Sequence, residues 1–563
     1  QLEAEWKDQL SVIVQDEKHL EDAFYKDLEF GTGGMRGEIG VGTNRMNTYT
    51  VRKASQGVAD YVKAAGEEAM KKGIVIAYDS RRKSPEFAQE AASTFAKNGI
   101  QAYLYEEPRT TPQLSYSVRE LGAFMGIVVT ASHNPPEYNG YKVYGEDGAQ
   151  LNIEDAEAVI EYVQQVGDEL AIETGNTEEY LQNGLIQVIG HDLDKAYLER
   201  VASIQHQQEF SGKDSLKVVF SPLHGASGST VRQLMKQTGY QNFMYVEDQM
   251  EPNGEFPTLK SPNPEEAGAF ELAMKLGKET AADILITADP DGDRVGLAVR
   301  QGEDYVLLTG NQTGAILIEY LLTQLKEKGQ MPANGRVFKT IVTSDLGRVI
   351  AEYHGSSTED VLTGFKFIGE KIKQYTESKE YTFLFGYEES YGYLIQPFVR
   401  DKDAIQSVLA ITEAAAFYKM QGKTLLDVLH DLFERHGYYF AGFVSITKKG
   451  ADGARAIQSL LTNLRNQPLV EVAGIAISSQ EDYLKQTRSF TDGRKDENLT
   501  LPKSDVLKYF LADGSWVCVR PSGTEPKIKY YIGVMDPSEA ESKEKLNTIK
   551  SQFTAEMEKR FSL

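Results

Sequence analysis

This sequence has a single cysteine, Cys518, so no disulfide can form within the chain. It has no amino-terminal apolar leader and no long uncharged hydrophobic run, which argues against export and against a membrane-spanning helix. Together these absences predict a soluble protein of a reducing compartment, with the cytoplasm as the simplest location. Positive charge is also scarce: 60 Lys and Arg stand against 83 Asp and Glu, a net charge of -23. Such a field disfavours nonspecific contact with nucleic acid or an anionic membrane, so neither is expected as a partner. An anionic ligand would have to be held locally, by backbone N–H groups, a few aimed Arg and Lys side chains and a metal.

At 563 residues the chain is far longer than one hydrophobic core can serve, so several domains are expected. From about residue 74 an apolar strand "IVIAYD" is followed by the helix pattern "SPEFAQEAASTFAKNG", with Ser84 as the expected N-cap, and then by "IQAYLY", "TPQLSYSVRELG" and "GIVVTA". This is a βαβαβ unit, and its continuous apolar strands suit a parallel sheet covered on both faces. The topology recurs without sequence repetition, first through "LKVVF" to "ADILITA" and again through "VFKTIVTS" to "DAIQSVLAITEAAAFYKMQG". After about residue 437 shorter strands and a terminal amphipathic helix predict a smaller α+β domain. The expected fold class is therefore α/β: three doubly wound mixed α/β domains, 1–205, 206–310 and 311–436, plus a smaller α+β carboxyl-terminal domain, 437–563.

Ligands in such sheets sit beyond the carboxyl ends of the strands, which directs the search to the loops there. "GIVVTASHNPPEYNGYKVYGEDG", at 126–148, delivers Ser132 and His133 at a strand end. "DPDGDR" places Asp289, Asp291 and Asp293 at alternate positions directly after another apolar strand. Three carboxylates turned toward one point would repel unless a hard cation held them, and an open all-oxygen set suits Mg2+. An EF-hand is excluded, because its sixth and twelfth positions would fall on Arg294 and Arg300. "RPSGTEPK" offers Arg520, Ser522, Gly523 and Thr524 in one turn, an anion nest of backbone N–H groups, hydroxyls and a guanidinium. "GYEESYGY" sets Glu388 and Ser390 at a strand end suited to sugar hydroxyls; a plain charged strand end would look the same.

Two other readings fail. "GTGGMRGEIG" lacks the third glycine and the preceding strand of a dinucleotide fingerprint, although Arg36 could still meet a phosphate. Ser132 lacks the G-x-S-x-G frame of a hydrolase elbow. A strand-end hydroxyl, a metal loop and an anion nest are all used together if the hydroxyl carries a phosphoryl group.

With these motifs the chain resembles the α-D-phosphohexomutase superfamily over roughly residues 30 to 535, through "TASHNP", "DPDGDR", "TGFK", "GYEES" and "RPSGTEPK" in that order. "FGTGGMRGEIGVGTNRMN" and "GYEESYGY" are most similar to its phosphoglucomutase-2/phosphopentomutase branch. The resemblance implies four domains around a central cleft, a phosphoserine at Ser132 and Mg2+ on Ser132, Asp289, Asp291 and Asp293. It implies sugar contacts from Thr363, Gly364, Phe365, Lys366, Glu388 and Ser390, and a grip on the idle phosphate by Arg520, Ser522, Gly523 and Thr524. Arg36, His133, Lys142, Arg294 and Lys402 would supply charge or protons, with His133 or Lys402 as general acid or base. The implied activity exchanges glucose 1-phosphate with glucose 6-phosphate, with glucose 1,6-bisphosphate as intermediate and activator, small sugar phosphates as the only partners and a monomer or weak dimer as the working form. A phosphopentomutase or phosphomannomutase, a Mg2+-dependent sugar phosphatase and a noncatalytic sensor are the alternatives. Where several family members carry Gly-His after the Glu-x-Ser element, this chain has Tyr391 and Gly392.

Overall fold

The computed structural model describes residues 2–31, 33–448, 450–522 and 527–561. Contacts divide the chain into two compact units, Gln1–Thr313 with Asn334–Arg336 and Phe365–Leu425, and Gly314–Ala333 with Val337–Gly364 and Leu426–Leu563.

The first unit begins with a six-stranded sheet of β1 (Met35–Glu38), β2 (Ile74–Tyr78), β3 (Ala102–Tyr105), β4 (Met125–Val129), β5 (Tyr138–Gly145) and β6 (Ile186–Ile189). Their order is β1-β5-β4-β2-β3-β6. β2, β3, β4 and β6 are parallel, whereas β5 returns antiparallel to β4 and β1 pairs antiparallel with β5. Alternate residues of β2 feed two cores. Ile74 and Ile76 pack with Val51, Val58, Phe87 and Phe95, while Val75 and Ala77 pack with Leu114, Val118 and Tyr144. This double burial is why the strand reads as an unbroken apolar run.

A second sheet holds β7 (Val218–Ser221), β8 (Phe243–Tyr245), β9 (Ile284–Ala288), β10 (Val295–Gln301) and β11 (Asp304–Leu308), in the order β11-β10-β9-β7-β8. β8 and β9 flank β7 in parallel, and β10 folds back antiparallel on β9 with Ala288 opposite Val295. Further along, the strand Thr382–Tyr387 is followed by Tyr393–Leu394, again antiparallel, with Tyr387 opposite Tyr393. The helix Ala404–Lys419, capped by Asp403 through Gln406 N, is buried along almost its whole length. Thus 130–137, 289–294 and 388–392 are each the return from a strand into its antiparallel neighbour, a placement that strand-end reasoning alone does not supply.

The second unit contains an antiparallel sheet whose strands run in the order Tyr438–Thr447, Lys527–Asp536, Trp516–Pro521, Leu507–Leu511, Ile475–Asp482, Thr487–Phe490 and Glu497–Asn498. Helices Gly450–Asn466 and Glu539–Phe561 contribute to its core, in which Leu460 and Leu464 meet Val517, Ile528, Tyr530, Ile549 and Phe553. The shorter strands and the terminal helix expected after about residue 437 are both present.

Candidate active site

Ser132 follows β4 by three residues and has φ +52°, a left-handed conformation that a non-glycine residue holds only when its surroundings impose it. The constraints come from β2 and the residues after it. Asp79 Oδ2 accepts from Thr130 Oγ1 at 2.6 Å, and Thr130 Oγ1 in turn accepts from Ser132 N at 2.8 Å. Asp79 Oδ1 accepts from Arg81 N at 2.9 Å and from Ser84 Oγ at 2.8 Å. Ser84 is therefore not the N-cap expected of it: Lys83 occupies that position with φ +64°, and the Ser84 hydroxyl is committed to Asp79. Ser132 Oγ donates to Asp289 Oδ2 at 2.7 Å and lies 3.3 Å from His133 Nδ1.

The three aspartates are buried, and one carboxylate oxygen from each lies within 4.8 Å of the others. Asp289 Oδ1 accepts from the backbone N–H groups of Asp293 at 3.1 Å and Arg294 at 3.0 Å. Asp291 Oδ2 accepts from Lys142 Nζ at 3.0 Å and Thr111 Oγ1 at 3.2 Å. Asp293 Oδ2 lies 3.1 Å from Lys402 Nζ. The second oxygens, Oδ1 of Asp291 and Oδ1 of Asp293, are buried with no hydrogen-bond donor among the described residues. One oxygen of each is thus oriented by a protein donor while the other is left for a ligand. Burial and the neighbouring carboxylates push Asp289 and Asp293 upward. Burial would do the same to Asp291, but Lys142 and Lys402 hold it below the usual carboxylate range. A hard divalent cation fits this donor set of buried, partly unsatisfied oxygens.

Cations ring the cluster. Lys142 stands on β5; Arg36, on β1, donates from Nη1 to Asn134 Oδ1 at 3.1 Å; Arg294 pairs with Glu265 at 3.1 Å. Burial of the His133 ring, with Arg294 and Arg36 nearby, sends its pKa well below the ordinary histidine value. Burial would deprotonate Lys402, but Asp293, Asp401 and Glu388 outweigh it and hold its pKa above the ordinary value. The Lys402 side chain crosses Gly392, where an added Cβ would meet its Cδ at 2.1 Å, and its Nζ lies 5.6 Å from the Phe365 ring centroid. Glu388 is buried, which raises its pKa, and it feels the charges of Lys402 and Arg294. Ser390 follows in the same return loop, and Tyr391 holds φ +66°. Lys366, beside Phe365 in the first unit, has its pKa lowered by burial.

Of the residues expected to meet at a site, Ser132, His133, Arg36, Lys142, Lys402, Arg294, Phe365, Lys366, Glu388, Ser390 and the three aspartates belong to the first unit. Thr363, Gly364, Arg520 and Ser522 belong to the second, where Ser522 N donates to Lys527 O at 2.7 Å and Arg520 stands opposite Lys529. Gly523 and Thr524 lie outside the described residues. Sequence reasoning missed Asp79, Arg81, Thr111 and Thr130. The run "YDSRRKS" held a usable signal, since it ends the strand beside β4 and parallel neighbours deliver their loops to the same edge.

Four family models match in sequence order. Those for phosphoglucomutase/phosphomannomutase alpha/beta/alpha domains I, II and III cover residues 27–169, 195–302 and 309–436, and that for the carboxyl-terminal domain covers 464–555. They describe the fold class expected from the sequence. A phosphoglucomutase of Staphylococcus aureus (strain MRSA252) is 37% identical over 529 residues, 94% of this chain and 93% of that protein. The counterpart from strain MSSA476 is 38% identical over 514 residues, 91% and 90% of the two chains. In fold the chain is similar to a putative phosphomannomutase from Thermus thermophilus, with TM-score 0.69 and 21% identity, covering 95% of this chain and 99% of that one. It is also similar to the open form of pp63/parafusin from Paramecium, with TM-score 0.67 and 16% identity, covering 95% of each chain.

Proposed function

This chain belongs to the phosphoglucomutase/phosphomannomutase family, and from that premise we propose that it interconverts α-D-glucose 1-phosphate and glucose 6-phosphate. It is an isomerase that acts by phosphoryl transfer, working through a phosphoserine at position 132 and glucose 1,6-bisphosphate. The observation that carries this reading is the 2.7 Å contact of Ser132 Oγ with Asp289, one of three buried carboxylates that each bring an oxygen within 4.8 Å of the others. Mg2+ is the cofactor assigned to that cluster, held by Asp289, Asp291 and Asp293 beside Ser132 Oγ. When bound there it neutralises charge on the phosphoryl oxygens.

The phosphorus–oxygen bond to Ser132 breaks as a bond forms to a hydroxyl of the sugar monophosphate, giving the bisphosphate. The hydroxyl's proton goes to a base and the released Ser132 Oγ takes up a proton; His133 is the candidate for this acid–base work because its Nδ1 lies 3.3 Å from Ser132 Oγ. Lys402 is committed to Asp293 and Asp401 and serves as fixed charge, together with Lys142, Arg36 and Arg294. The bisphosphate turns over, and its first phosphate is returned to Ser132. Phe365, Lys366, Glu388 and Ser390, with Thr363 and Gly364, are assigned to the sugar. Arg520, Ser522, Gly523 and Thr524 are assigned to the phosphate not in transfer. Positioning and charge neutralisation supply most of the rate in such reactions.

The working division into domains is 1–205, 206–310, 311–436 and 437–563, supported by the spacing of the four family models. Among the described residues no helix is long and apolar enough to cross a membrane. A cytoplasmic location is supported by the lone cysteine, and a monomer or weak dimer is the working form proposed. The test is a coupled assay with glucose 1-phosphate, ribose 1-phosphate and mannose 1-phosphate in parallel, primed with a trace of glucose 1,6-bisphosphate. The highest kcat/KM is expected with glucose 1-phosphate. Free phosphate released as fast as sugar phosphate disappears would make the protein a phosphatase instead.

A further inference from the structure

One buried residue outside the assigned machinery is bound to the Ser132 loop more densely than any other side chain described above. Arg81 is 1% exposed. Its Nη1 donates to the carbonyl oxygens of Pro135 at 2.9 Å and Tyr138 at 3.1 Å, and its Nη2 donates to those of Ser132 and Asn134. All four terminal N–H bonds of one guanidinium are therefore used on the backbone of a single seven-residue loop. Its Nε lies 3.3 Å from Asp79 Oδ2, the oxygen that also accepts from Thr130.

The face of the guanidinium has its own seat. Its central carbon lies 5.3 Å from the centroid of Phe256, a 1% exposed ring on a residue held at φ +46°. The loop carrying Phe256 packs directly on the backbone behind Arg81: a Cβ on Gly254 would meet Arg82 N at 2.4 Å and Ser80 O at 2.8 Å. That loop is tied in turn to the turn after β7, where Asn253 N donates to His224 O at 2.9 Å.

We propose that Arg81, seated on Phe256, is a positioning residue for phosphoryl transfer: it holds the Ser132–Tyr138 loop so that the serine keeps its left-handed backbone and its oxygen stays on Asp289. A left-handed serine is strained and persists only where its neighbours over-determine it. Four hydrogen bonds from a charged donor to buried carbonyls supply that determination. Lysine cannot replace it, because its three N–H bonds diverge from one atom and cannot span four carbonyls in a plane.

This inference rests on the phosphoserine reading of Ser132, and one experiment separates the two. Wild type, Arg81→Lys and Phe256→Leu are each treated with glucose 1,6-bisphosphate carrying labelled phosphate. Incorporation at Ser132, kcat per labelled site and KM for glucose 1-phosphate are measured on the same preparations. No label on Ser132 of active wild type would sink the phosphoserine reading itself. With wild type labelled, Arg81→Lys is expected to reach the same final incorporation more slowly, with kcat lowered about a hundredfold and KM little changed, the cost of a catalytic group displaced by about 1 Å. A fall in kcat of less than about tenfold, or a loss carried by KM alone, overturns the inference, because a purely structural arginine changes how much protein folds and not how fast each site turns over. If Arg81→Lys does not fold, Phe256→Leu decides: it keeps the guanidinium and removes its seat, and a kcat within about threefold of wild type counts against the proposal.

Discussion

Ser132 and Asp403 show how differently one side chain can matter. The Ser132 hydroxyl has few partners, so Ser132→Ala is expected to cost no more than about 1–3 kcal/mol of stability, the penalty for leaving one buried acceptor on Asp289 short of a donor. Mutase activity should nevertheless fall to background while circular dichroism is unchanged. Asp403 lies at the other extreme: it is fully buried, accepts from Tyr197 Oη at 2.9 Å on both oxygens, and caps the helix Ala404–Lys419. Burial pushes its pKa from 3.8 up to about 6. A folded-state pKa above the unfolded one means that the folded chain holds the proton more tightly. Asp403 therefore contributes stability that is complete below about pH 4 and lost as pH rises through 6. Asp403→Asn has no such proton. Between pH 4 and pH 7 the difference in stability between the two proteins should move in favour of the variant by about 2 kcal/mol, read as the pH dependence of the gap between their unfolding temperatures.

At the scale of elements, the same device recurs three times: a strand ends, a polar loop carries the chemistry, and an antiparallel neighbour takes the chain back. The first half of the device was legible. "IVIAY" and "MGIVV" are buried on both faces, so their apolar runs stop visibly where the loops begin. The returning strands were not legible, because "YNGYKVYG" mixes Gly, Asn and Lys with its apolar residues, and Lys142 lies in it as a site residue. Arg81 and Asp79 escaped for a related reason, since Arg81 bonds to backbone carbonyls and Asp79 to the Thr130 hydroxyl of a segment some fifty residues away that only sheet order brings near. The loop after β7 braces the metal loop in the same manner. Ala226 N donates to Pro290 O at 2.9 Å, and a Cβ on Gly225 would meet Pro290 Cα at 2.5 Å. Gly225→Ala must therefore move "DPDGDR". After thorough chelation both proteins are expected to be inactive, and the Mg2+ concentration restoring half of the activity should be about tenfold higher for the variant. Equal Mg2+ requirements would show that the brace does not govern the cluster.

Over the whole molecule, the net charge of -23 and an anionic substrate are reconciled by concentrating Lys142, Lys402, Arg36, Arg81 and Arg294 around one set of loops. Domain class and motif order could be read from the chain because both follow from local periodicity and loop chemistry. The grouping into compact units could not: within "TGFK", Thr363 and Gly364 fall in one unit and Phe365 and Lys366 in the other, a division set by packing between distant segments. What joins all of these levels is a phosphoryl group that resides on the enzyme between turnovers. The direct measurement is to label the enzyme with radioactive phosphate, chase it with unlabelled glucose 1-phosphate, and follow the label by peptide analysis. The account predicts that the label begins on Ser132 and leaves at the rate of turnover into glucose bisphosphate and glucose 6-phosphate. Label that never appears on Ser132, or that stays there while turnover continues, would contradict it.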